Sequence, residues 1–387
     1  MAGHAILSPS GAHRWMSCPP SAQLERQFAD EHTEYAAEGT FAHALAELRL
    51  SRAIANSVRP SVYKKQLAVL KENQWFSTAL EEFVEQYVTQ VSEIFLATVK
   101  KCPDTLVLLE QKLDFSEWVP GGFGTGDVVI ISDDCIEVID LKYGKGVPVS
   151  AEGNPQTRLY GLGAIRTFEM LFDFSKVRMT IIQPRLDSIS TEELTVEELL
   201  TWADQEVKPK AALAHAGEGE FCAGDHCRFC RARATCRARA DFNLELAKYD
   251  FQEPFLLENE EIADILTRAE ELVKWAADVK AHALDQAENH GVKYPGWKLV
   301  EGRSNRKYSD EDAVAKALTA AGFSEDAIYT RSLLGITAME KEVGKKKFSQ
   351  LLGELIIKPA GKPTLVPESD TRPEINSTDA AKADFSD

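Results

Sequence analysis

Long apolar runs are absent from this chain of 387 residues: no stretch approaches the roughly 20 apolar residues that a membrane-spanning helix needs. The first residues, MAGHAILSPSGAHRW, lack a basic region followed by an apolar stretch, so we expect no signal peptide. The glycine-rich segment Gly121–Gly126 lacks the G-K-[ST] ending of a phosphate-binding loop and precedes a strand pattern instead of a helix. We therefore expect neither a membrane protein nor a nucleotide-driven motor.

Positive charge is also scarce. Lysine and arginine number 44 against 61 aspartate and glutamate residues, which gives a net charge of −17. A chain this acidic is not expected to coat nucleic acid in general, although a basic cleft can still lie within an acidic surface. The hydrophobic fraction of 44% is ample for a core, and the length allows about two or three domains.

Cysteine is rare but unevenly placed. There are seven cysteines, an odd number, which predicts a reducing cytoplasmic location and ligation of a metal or cluster instead of disulfide bonds. Four of them fall within fifteen residues: Cys222, Cys227, Cys230 and Cys236. Four thiolates, or three together with His226, could hold Zn²⁺ tetrahedrally. Cys18, followed by two prolines, is by itself more typical of a buried small hydrophobic residue.

A β-hairpin is predicted in the middle of the chain, where the runs Gly126–Ser132 and Cys135–Lys142 flank the turn pair Asp133-Asp134. The other predicted elements are a helix within 60–100, strands at Thr105–Phe115 and Val177–Gln183, and helices at Pro155–Phe172, 195–215, Glu258–His290, 310–321 and 337–356. This order predicts an α/β fold, a mixed sheet flanked by helices, with a mainly helical C-terminal extension.

Three charged residues converge at the end of this hairpin. Asp127 opens the first strand, and Asp140 and Lys142 lie two residues apart on one face of the second. Two carboxylates and an ammonium at one point are costly unless a divalent cation lies between them. Helped by the backbone carbonyl of Leu141, the carboxylates would hold Mg²⁺ or Mn²⁺ against a phosphodiester, while Lys142 orients water or stabilises the transition state. The alternative is that these are solvated charges at strand ends.

Further charged residues are expected near this point. Glu110, on the preceding strand, is either an additional acidic group near the metal or a solvent-facing edge residue. Arg185 directly follows the strand at Val177–Gln183 and places a basic residue close to the cleft. Five arginines among and after the clustered cysteines predict a contact with the DNA backbone, the alternative being a solvated face. They are Arg228, Arg231, Arg233, Arg237 and Arg239.

The residues G-T-G-D at 124–127, followed after twelve residues by D-L-K at 140–142, resemble the core motif of the PD-(D/E)XK nuclease superfamily. Gln156-Thr-Arg-Leu-Tyr160 is similar to the Q-x-x-x-Y signature of its RecB-like branch, and the likeness is greatest to RecB-like proteins carried by phages. On a helix, Gln156 and Tyr160 share a face. The resemblance extends from the N-terminus through the cysteine-rich segment. One departure is Asp140, where glutamate is commoner.

This resemblance implies a restriction-endonuclease-like fold and roles for individual residues. His43, in G-x-x-x-H at 39–43, is implied to bind the metal together with Asp127 and Asp140, and Glu47 could orient it. Gln156 and Tyr160 are implied to hold the DNA end.

S-x-S at 8–10 followed by Cys18-Pro, with C-x2-C-x5-C beginning at Cys227, resembles AddB-type helicase-nucleases and CRISPR-adaptation nucleases. This implies a structural [4Fe–4S] cluster, with Cys222 as a spare thiol. Its ligands would be Cys18, Cys227, Cys230 and Cys236.

The motifs and the resemblance together predict a Mg²⁺- or Mn²⁺-dependent deoxyribonuclease, an exonuclease of phage recombination or replication in the bacterial host cytoplasm. The expected partners are DNA and a single-strand annealing or single-strand-binding protein. The alternatives are a non-catalytic DNA-binding or assembly protein that keeps the nuclease fold, and a zinc-stabilised scaffold. We predict a nuclease core over 1–245, a mainly helical domain over 246–360 and an extended tail over 361–387.

Overall fold

A computed structural model of the chain describes residues 5–29, 34–146, 148–246, 257–300, 309–322, 324–330, 333–352 and 355–356. Contacts between residues divide the chain into two compact units, Met1–Asp285 and Gln286–Asp387. The domain boundaries predicted from the sequence remain predictions, and the tail over 361–387 lies outside the described residues. Among the described helices, none combines the length with the apolar composition that crossing a bilayer demands.

Helices precede the sheet in the first unit. They are α1 (Ala12–Ser17), α2 (Ser21–Leu24), α3 (Glu34–Ala53), α4 (Pro60–Lys71) and α5 (Thr78–Lys101). The single helix predicted across 60–100 was wrong, because α4 ends at Lys71 and a new helix starts after Ser77. The side chain of Ser77 accepts a hydrogen bond from the Leu80 amide and so caps α5.

The sheet has five strands: β1 (Leu106–Asp114), β2 (Phe123–Ile131), β3 (Cys135–Leu141), β4 (Lys176–Gln183) and β5 (Ser188–Thr195). They lie side by side in chain order, and every neighbouring pair is antiparallel except β3 and β4, which are parallel. Helix α6 (Pro155–Phe168) forms the crossover that this parallel pair requires. The predicted mixed α/β fold is confirmed.

Strand β5 was not predicted. Its sequence, SISTEELT, consists mostly of polar residues, and most of its side chains are exposed or half-buried. Strand prediction depends on alternating apolar residues, and an edge strand that faces solvent provides few of them.

Apolar layers cover both faces of the sheet. Helix α6 packs on one face, in a cluster that includes Val129 and Val138, and α3 and α5 pack on the other, with Val128 and Ile139. Successive residues of a strand point to opposite faces, so the apolar runs of β2 and β3 supply both layers at once. Burial of each such side chain contributes about 1.5–3 kcal/mol. Packing on both faces holds the strand ends rigidly where the charged residues lie.

The remaining described elements are helical. In the first unit these are α7 (Val196–Trp202), α8 (Lys208–Ala216), α9 (Arg237–Leu244) and most of α10 (Asn259–Asn289), the last confirming the long helix predicted there. The second unit contains α11 (Glu311–Ala320), α12 (Glu325–Ile328), α13 (Ile336–Val343) and α14 (Lys345–Leu352). The single helix predicted over 337–356 was wrong: Gly344, with φ of 83°, separates α13 from α14.

Candidate functional site

The candidate site lies where the side chains of β1 and β2 switch from one face of the sheet to the other. Leu109 packs in the layer with α3 and α5, whereas Leu113 packs with α6, although residues of equal parity normally share a face. Glu110 lies between them with φ of 47°, in the left-handed region. The residues on either side of Glu110 pair with those on either side of Asp127. Glu110 and Asp127 therefore lie opposite each other where the strands change face.

Helix α3 brings a histidine to this point. The Nδ1 atom of His43 lies 3.1 Å from Oδ1 of Asp127. One potential ligand atom each from His43, Glu110 and Asp127 lie within 4.8 Å of one another. The other carboxylate oxygen of Asp127 accepts a 2.7 Å hydrogen bond from the amide of Leu141. When Nδ1 of His43 carries the proton, Nε2 keeps a lone pair for a cation, as in many metal sites.

The neighbouring group is built on the end of β3 and the start of α6. Lys142 Nζ lies 3.0 Å from Oδ2 of Asp140 and donates a 2.8 Å hydrogen bond to Oε1 of Gln156. The amide nitrogen of Gln156 donates to Oδ1 of Asp140 at 3.4 Å and to the hydroxyl of Tyr160 at 3.2 Å. Asn154 caps α6 and fixes the helix turn that carries Gln156. Gln156 therefore links Lys142, Asp140 and Tyr160 in one hydrogen-bonded group.

The structure brings six side chains predicted from the sequence into these two adjoining groups: His43, Asp127, Asp140, Lys142, Gln156 and Tyr160. The three-residue cluster of potential metal ligands includes Glu110 but not Asp140. Leu141 contributes its amide to Asp127, and metal binding by its carbonyl stays a prediction. Glu47, which was predicted to orient His43, lines the cavity beside the cluster. The described hydrogen bond of the His43 ring is with Asp127.

The electrostatics of the site favour protonated groups in the absence of a cation. Burial lowers the pKa of His43, but the hydrogen bond to Asp127 and the surrounding negative charges raise it above its usual value overall. Partial burial of its carboxyl and the charge of Asp127 raise the pKa of Glu110 to about 7, although much of the Glu110 side chain is exposed. Burial also raises the pKa of Asp140, against the effect of the Lys142 ammonium. A divalent cation would reverse these trends by favouring the ionised carboxylates.

Arg185 lies at the same end of the sheet. It follows β4, whose Ile182 carbonyl accepts a hydrogen bond from the Lys142 amide. The guanidinium of Arg185 lies 4.8 Å from the ring centre of Tyr143 and 3.3 Å from Oε2 of Glu38. Because Tyr143 directly follows Lys142, Arg185 lies close to the charged groups, as the sequence predicted.

Five of the seven cysteines line a second cavity, of about 20 Å³: Cys18, Cys222, Cys227, Cys230 and Cys236. The amide of Cys222 donates to Sγ of Cys18 at 3.5 Å, and the amide of Gly224 donates to Sγ of Cys227 at 3.4 Å. Burial raises the pKa of Cys230 to about 12, so only a strong competitor such as a metal ion would remove its proton.

The spacing of these sulfurs is wider than that of three or more ligands around one zinc ion. Zinc–sulfur bonds of about 2.3 Å place tetrahedral sulfurs about 3.8 Å apart. Within the described residues, no three of the cysteine sulfurs lie within 4.8 Å of one another. The cavity also includes Cys18, which comes from the distant N-terminal segment.

The arginines after the cysteines do not form one exposed patch. Arg239 is 1% exposed and pairs with Glu271 and Asp278, each at 2.6 Å. The prediction that Arg239 contacts DNA was therefore wrong: its charge is buried against α10. Arg233 also pairs with Asp278, at 3.4 Å, whereas Arg228 and Arg237 are exposed.

Comparison with known proteins identifies a family. A family model described as "Protein of unknown function (DUF2800)" matches residues 4–373. The solved structure described as "Crystal structure of SSO0001" is similar to this chain at 13% sequence identity and a TM-score of 0.24, over 59% of this chain and 96% of that chain. A likeness this low carries no argument about the site.

Proposed function

The chain belongs to the DUF2800 family, proteins of unknown function, and from its site we propose that it is a metal-dependent deoxyribonuclease of the PD-(D/E)XK superfamily, RecB-like branch. The observation that carries the proposal is the arrangement of Lys142. Its ammonium lies between the carboxylate of Asp140 and the amide of Gln156, and the amide of the intervening Leu141 holds Asp127. An ammonium held in this way beside two carboxylates suits hydrolysis of a phosphodiester.

His43, Asp127 and Asp140 would hold Mg²⁺ or Mn²⁺. Imidazole and carboxylate donors fit such an ion, and a cation would favour the ionised form of Asp140, whose pKa burial raises. The bound cation supplies the Lewis acidity that phosphodiester hydrolysis needs.

Lys142 would donate a hydrogen bond to a phosphate oxygen or orient the attacking water, since its ammonium is a cationic donor beside the two carboxylates. Gln156 keeps the ammonium in place through the 2.8 Å hydrogen bond, and Tyr160 in turn holds Gln156. These contacts support a positioning role for both residues. Their predicted contact with a DNA end would add to that role.

The cysteine cavity supports a bound metal group that joins the N-terminal segment to residues 222–236. We assign Cys18, Cys227, Cys230 and Cys236 as its ligands and a [4Fe–4S] cluster as the group. The alternative, Zn²⁺ on Cys222, Cys227, Cys230 and Cys236, accounts neither for Cys18 in the cavity lining nor for the wide spacing of the sulfurs.

The experiment is digestion of end-labelled linear DNA and of circular DNA by the purified protein with Mn²⁺. We expect the wild type to degrade linear DNA, and Asp140→Ala to abolish cleavage while DNA binding persists, because Asp140 contacts Lys142 and lies beside the cation. Asp133→Ala, in the exposed turn of the same hairpin, is the matched control and should cleave as the wild type does.

Three outcomes separate the rivals. Unchanged cleavage by Asp140→Ala would refute the assignment of the site. A wild-type protein that binds DNA but cuts neither substrate would instead support a non-catalytic DNA-binding or assembly protein. Cleavage of circular DNA as well as linear DNA would establish an endonuclease in place of the exonuclease that we propose.

A further inference from the structure

One ionisable residue beside the site has no role in the proposal above. In the described part of the chain, the non-glycine residues with positive φ are Asn56, Glu110 and Asp187. Asparagine and aspartate tolerate the left-handed region because their short side chains bond to the local backbone. Glutamate lacks that advantage, and Glu110 lies within a strand. Strained backbone of this kind persists only where its surroundings require it and is frequent at ligand sites.

We propose that Glu110 is a further ligand of the divalent cation and that the backbone distortion of β1 serves to turn its carboxylate toward His43 and Asp127. This inference rests on the proposed function, since it concerns the same cation. It adds a ligand that neither the D…D-x-K motif nor the resemblance to RecB-like nucleases supplies.

The distance between the groups supports a shared ion. Ligand atoms of Glu110, His43 and Asp127 within 4.8 Å of one another can close around one cation at oxygen and nitrogen distances of about 2.0–2.2 Å with small side-chain movements. Glu110 on β1 also lies opposite Asp127 on β2, so the two carboxylates would reach the cation from neighbouring strands.

Tyr87 gives a second, independent sign that the cavity holds a polar ligand. This residue of α5 is 1% exposed, and its hydroxyl has no hydrogen-bond partner. It lines the same small cavity as His43, Glu110 and Asp127. A buried hydroxyl normally has a partner, because leaving it without one is costly. The cation's own water or the ionised Glu110 carboxylate would supply that acceptor.

An imidazole among the ligands of the ion also predicts which metal the site prefers. Mg²⁺ binds oxygen donors in strict octahedral geometry and keeps several waters, whereas imidazole suits the later divalent metals. With His43 as a ligand, the site should bind Mn²⁺ more tightly than Mg²⁺, and the Glu110 carboxylate should strengthen the binding of both ions.

The test is calorimetric titration of Mn²⁺ into the full-length protein. We expect Glu110→Gln to weaken Mn²⁺ binding roughly 10- to 100-fold, because the amide has lost the ionic ligand. Glu93→Gln, an exposed glutamate of α5, should bind as the wild type does. Tyr87→Phe should weaken binding by a smaller factor.

A second variant separates ligation from loss of structure. Glu110→Gly permits positive φ without strain, so its thermal midpoint in chelator should equal or exceed that of the wild type, while the stabilisation by Mn²⁺ is lost. A lower midpoint for Glu110→Gly in chelator would overturn the strain argument.

Wild-type affinity in Glu110→Gln would overturn the assignment of Glu110, and the proposed function would stand if Asp140→Ala still lacked cleavage. A wild-type protein that binds no Mn²⁺ would overturn the proposed function itself.

Discussion

Glu110 should change its charge near neutral pH. Partial burial and the charges of Asp127 and Glu47 raise its pKa from 4.5 to about 7. The folded protein therefore binds this proton more tightly than the unfolded chain does. Its contribution to stability is fully present below about pH 4.5 and is lost as the pH rises through about 7.

We predict that, in chelator, the wild type loses thermal stability relative to Glu110→Gln as the pH rises from about 5 to about 8. The glutamine cannot ionise, so the difference between the two proteins reports the ionisation of Glu110 together with its effect on the pKa of His43. Thermal unfolding at the two pH values measures it. At the higher pH, Mn²⁺ should stabilise the wild type more than it stabilises the variant. A gap between the proteins that stays constant with pH would contradict the prediction.

Arg185 should contact the backbone of bound DNA. Its guanidinium lies 3.3 Å from Oε2 of Glu38, and the ring of Tyr143 holds it in place beside the site, with 17% of the side chain exposed. Arg185→Ala should weaken DNA binding equally across sequences and reduce the slope of log affinity against log salt by about 1.

Fluorescence anisotropy at several salt concentrations in Ca²⁺ measures the effect of Arg185→Ala without cleavage. Lys176→Ala is the control, because Lys176 lies at the start of β4, at the opposite end of the strand from Arg185. Equal losses for the two variants would show that Arg185 acts only through general charge.

Sequence reasoning located the charged residues of the hairpin because strand alternation fixes which side chains share a face. It left Glu110 between two alternatives, an additional acidic group near the metal and a solvent-facing edge residue. A left-handed glutamate leaves no trace in the sequence, since neither composition nor periodicity records φ. Tyr87 was hidden for another reason: it falls among the apolar positions of α5, where an aromatic residue normally indicates core packing.

At the scale of elements, the close approach of α6 to the sheet positions Gln156 and Tyr160. A Cβ atom added to Gly163 would lie 2.8 Å from Cβ of Leu113 and 3.1 Å from its backbone carbon. A backbone atom cannot move aside as a side chain can. Gly163 therefore sets the distance between α6 and β1, and through the rigid helix it sets the height of Gln156 above β3.

Gly163→Ala should lower the free energy of unfolding by about 1–3 kcal/mol through this overlap and should reduce cleavage. Gly39→Ala, in α3, is the matched control: nothing lies within 4 Å of an added Cβ atom there. Because alanine is the better helix former, that variant should gain about 0.5–1 kcal/mol. Urea denaturation of both variants measures the change in the free energy of unfolding. A loss of stability in both variants would contradict the packing argument.

The sequence predicted elements well where apolar residues were periodic. The hairpin strands and α10 follow their patterns, whereas the polar strand β5 was missed. The break between α4 and α5 was missed because the apolar positions used for the prediction, from Leu80 to Ile94, all lie within α5, and the polar run 71–74 and the Ser77 cap that separate the helices were overlooked. Gly344 similarly interrupts a pattern that periodicity alone would extend.

At the scale of the whole first unit, the cysteine cavity joins distant parts of the chain. Cys18 receives the amide of Cys222, and Glu25 accepts a hydrogen bond from the Arg231 amide at 2.8 Å. The turn before α1 also packs against the site, since Pro9 and Tyr160 both lie within 3 Å of a Cβ atom added to Gly124. A group bound in the cavity would thereby hold the N-terminal segment against the wall of the site.

Cys18→Ser should therefore reduce bound iron to background and lower the thermal midpoint of protein purified without oxygen, because a structural metal site contributes its binding energy to folding. Cys102→Ser, at the end of α5 and outside the cavity lining, should retain iron and stability. Iron, sulfide and zinc assays on the same preparations measure the content. Stoichiometric zinc with no iron in the wild type would contradict the cluster.

The length of chain between the two sides of the cysteine cavity has a consequence for synthesis. Cys222 follows Cys18 by 204 residues. At about 5–20 residues per second, the ribosome delivers the second side roughly 10 to 40 s after the first. Throughout that interval the Cys18 thiol, which is 6% exposed in the folded protein, lacks the segment around Cys222 that contacts it. Slower translation would therefore lengthen the time for which this thiol can be oxidised before the cavity forms.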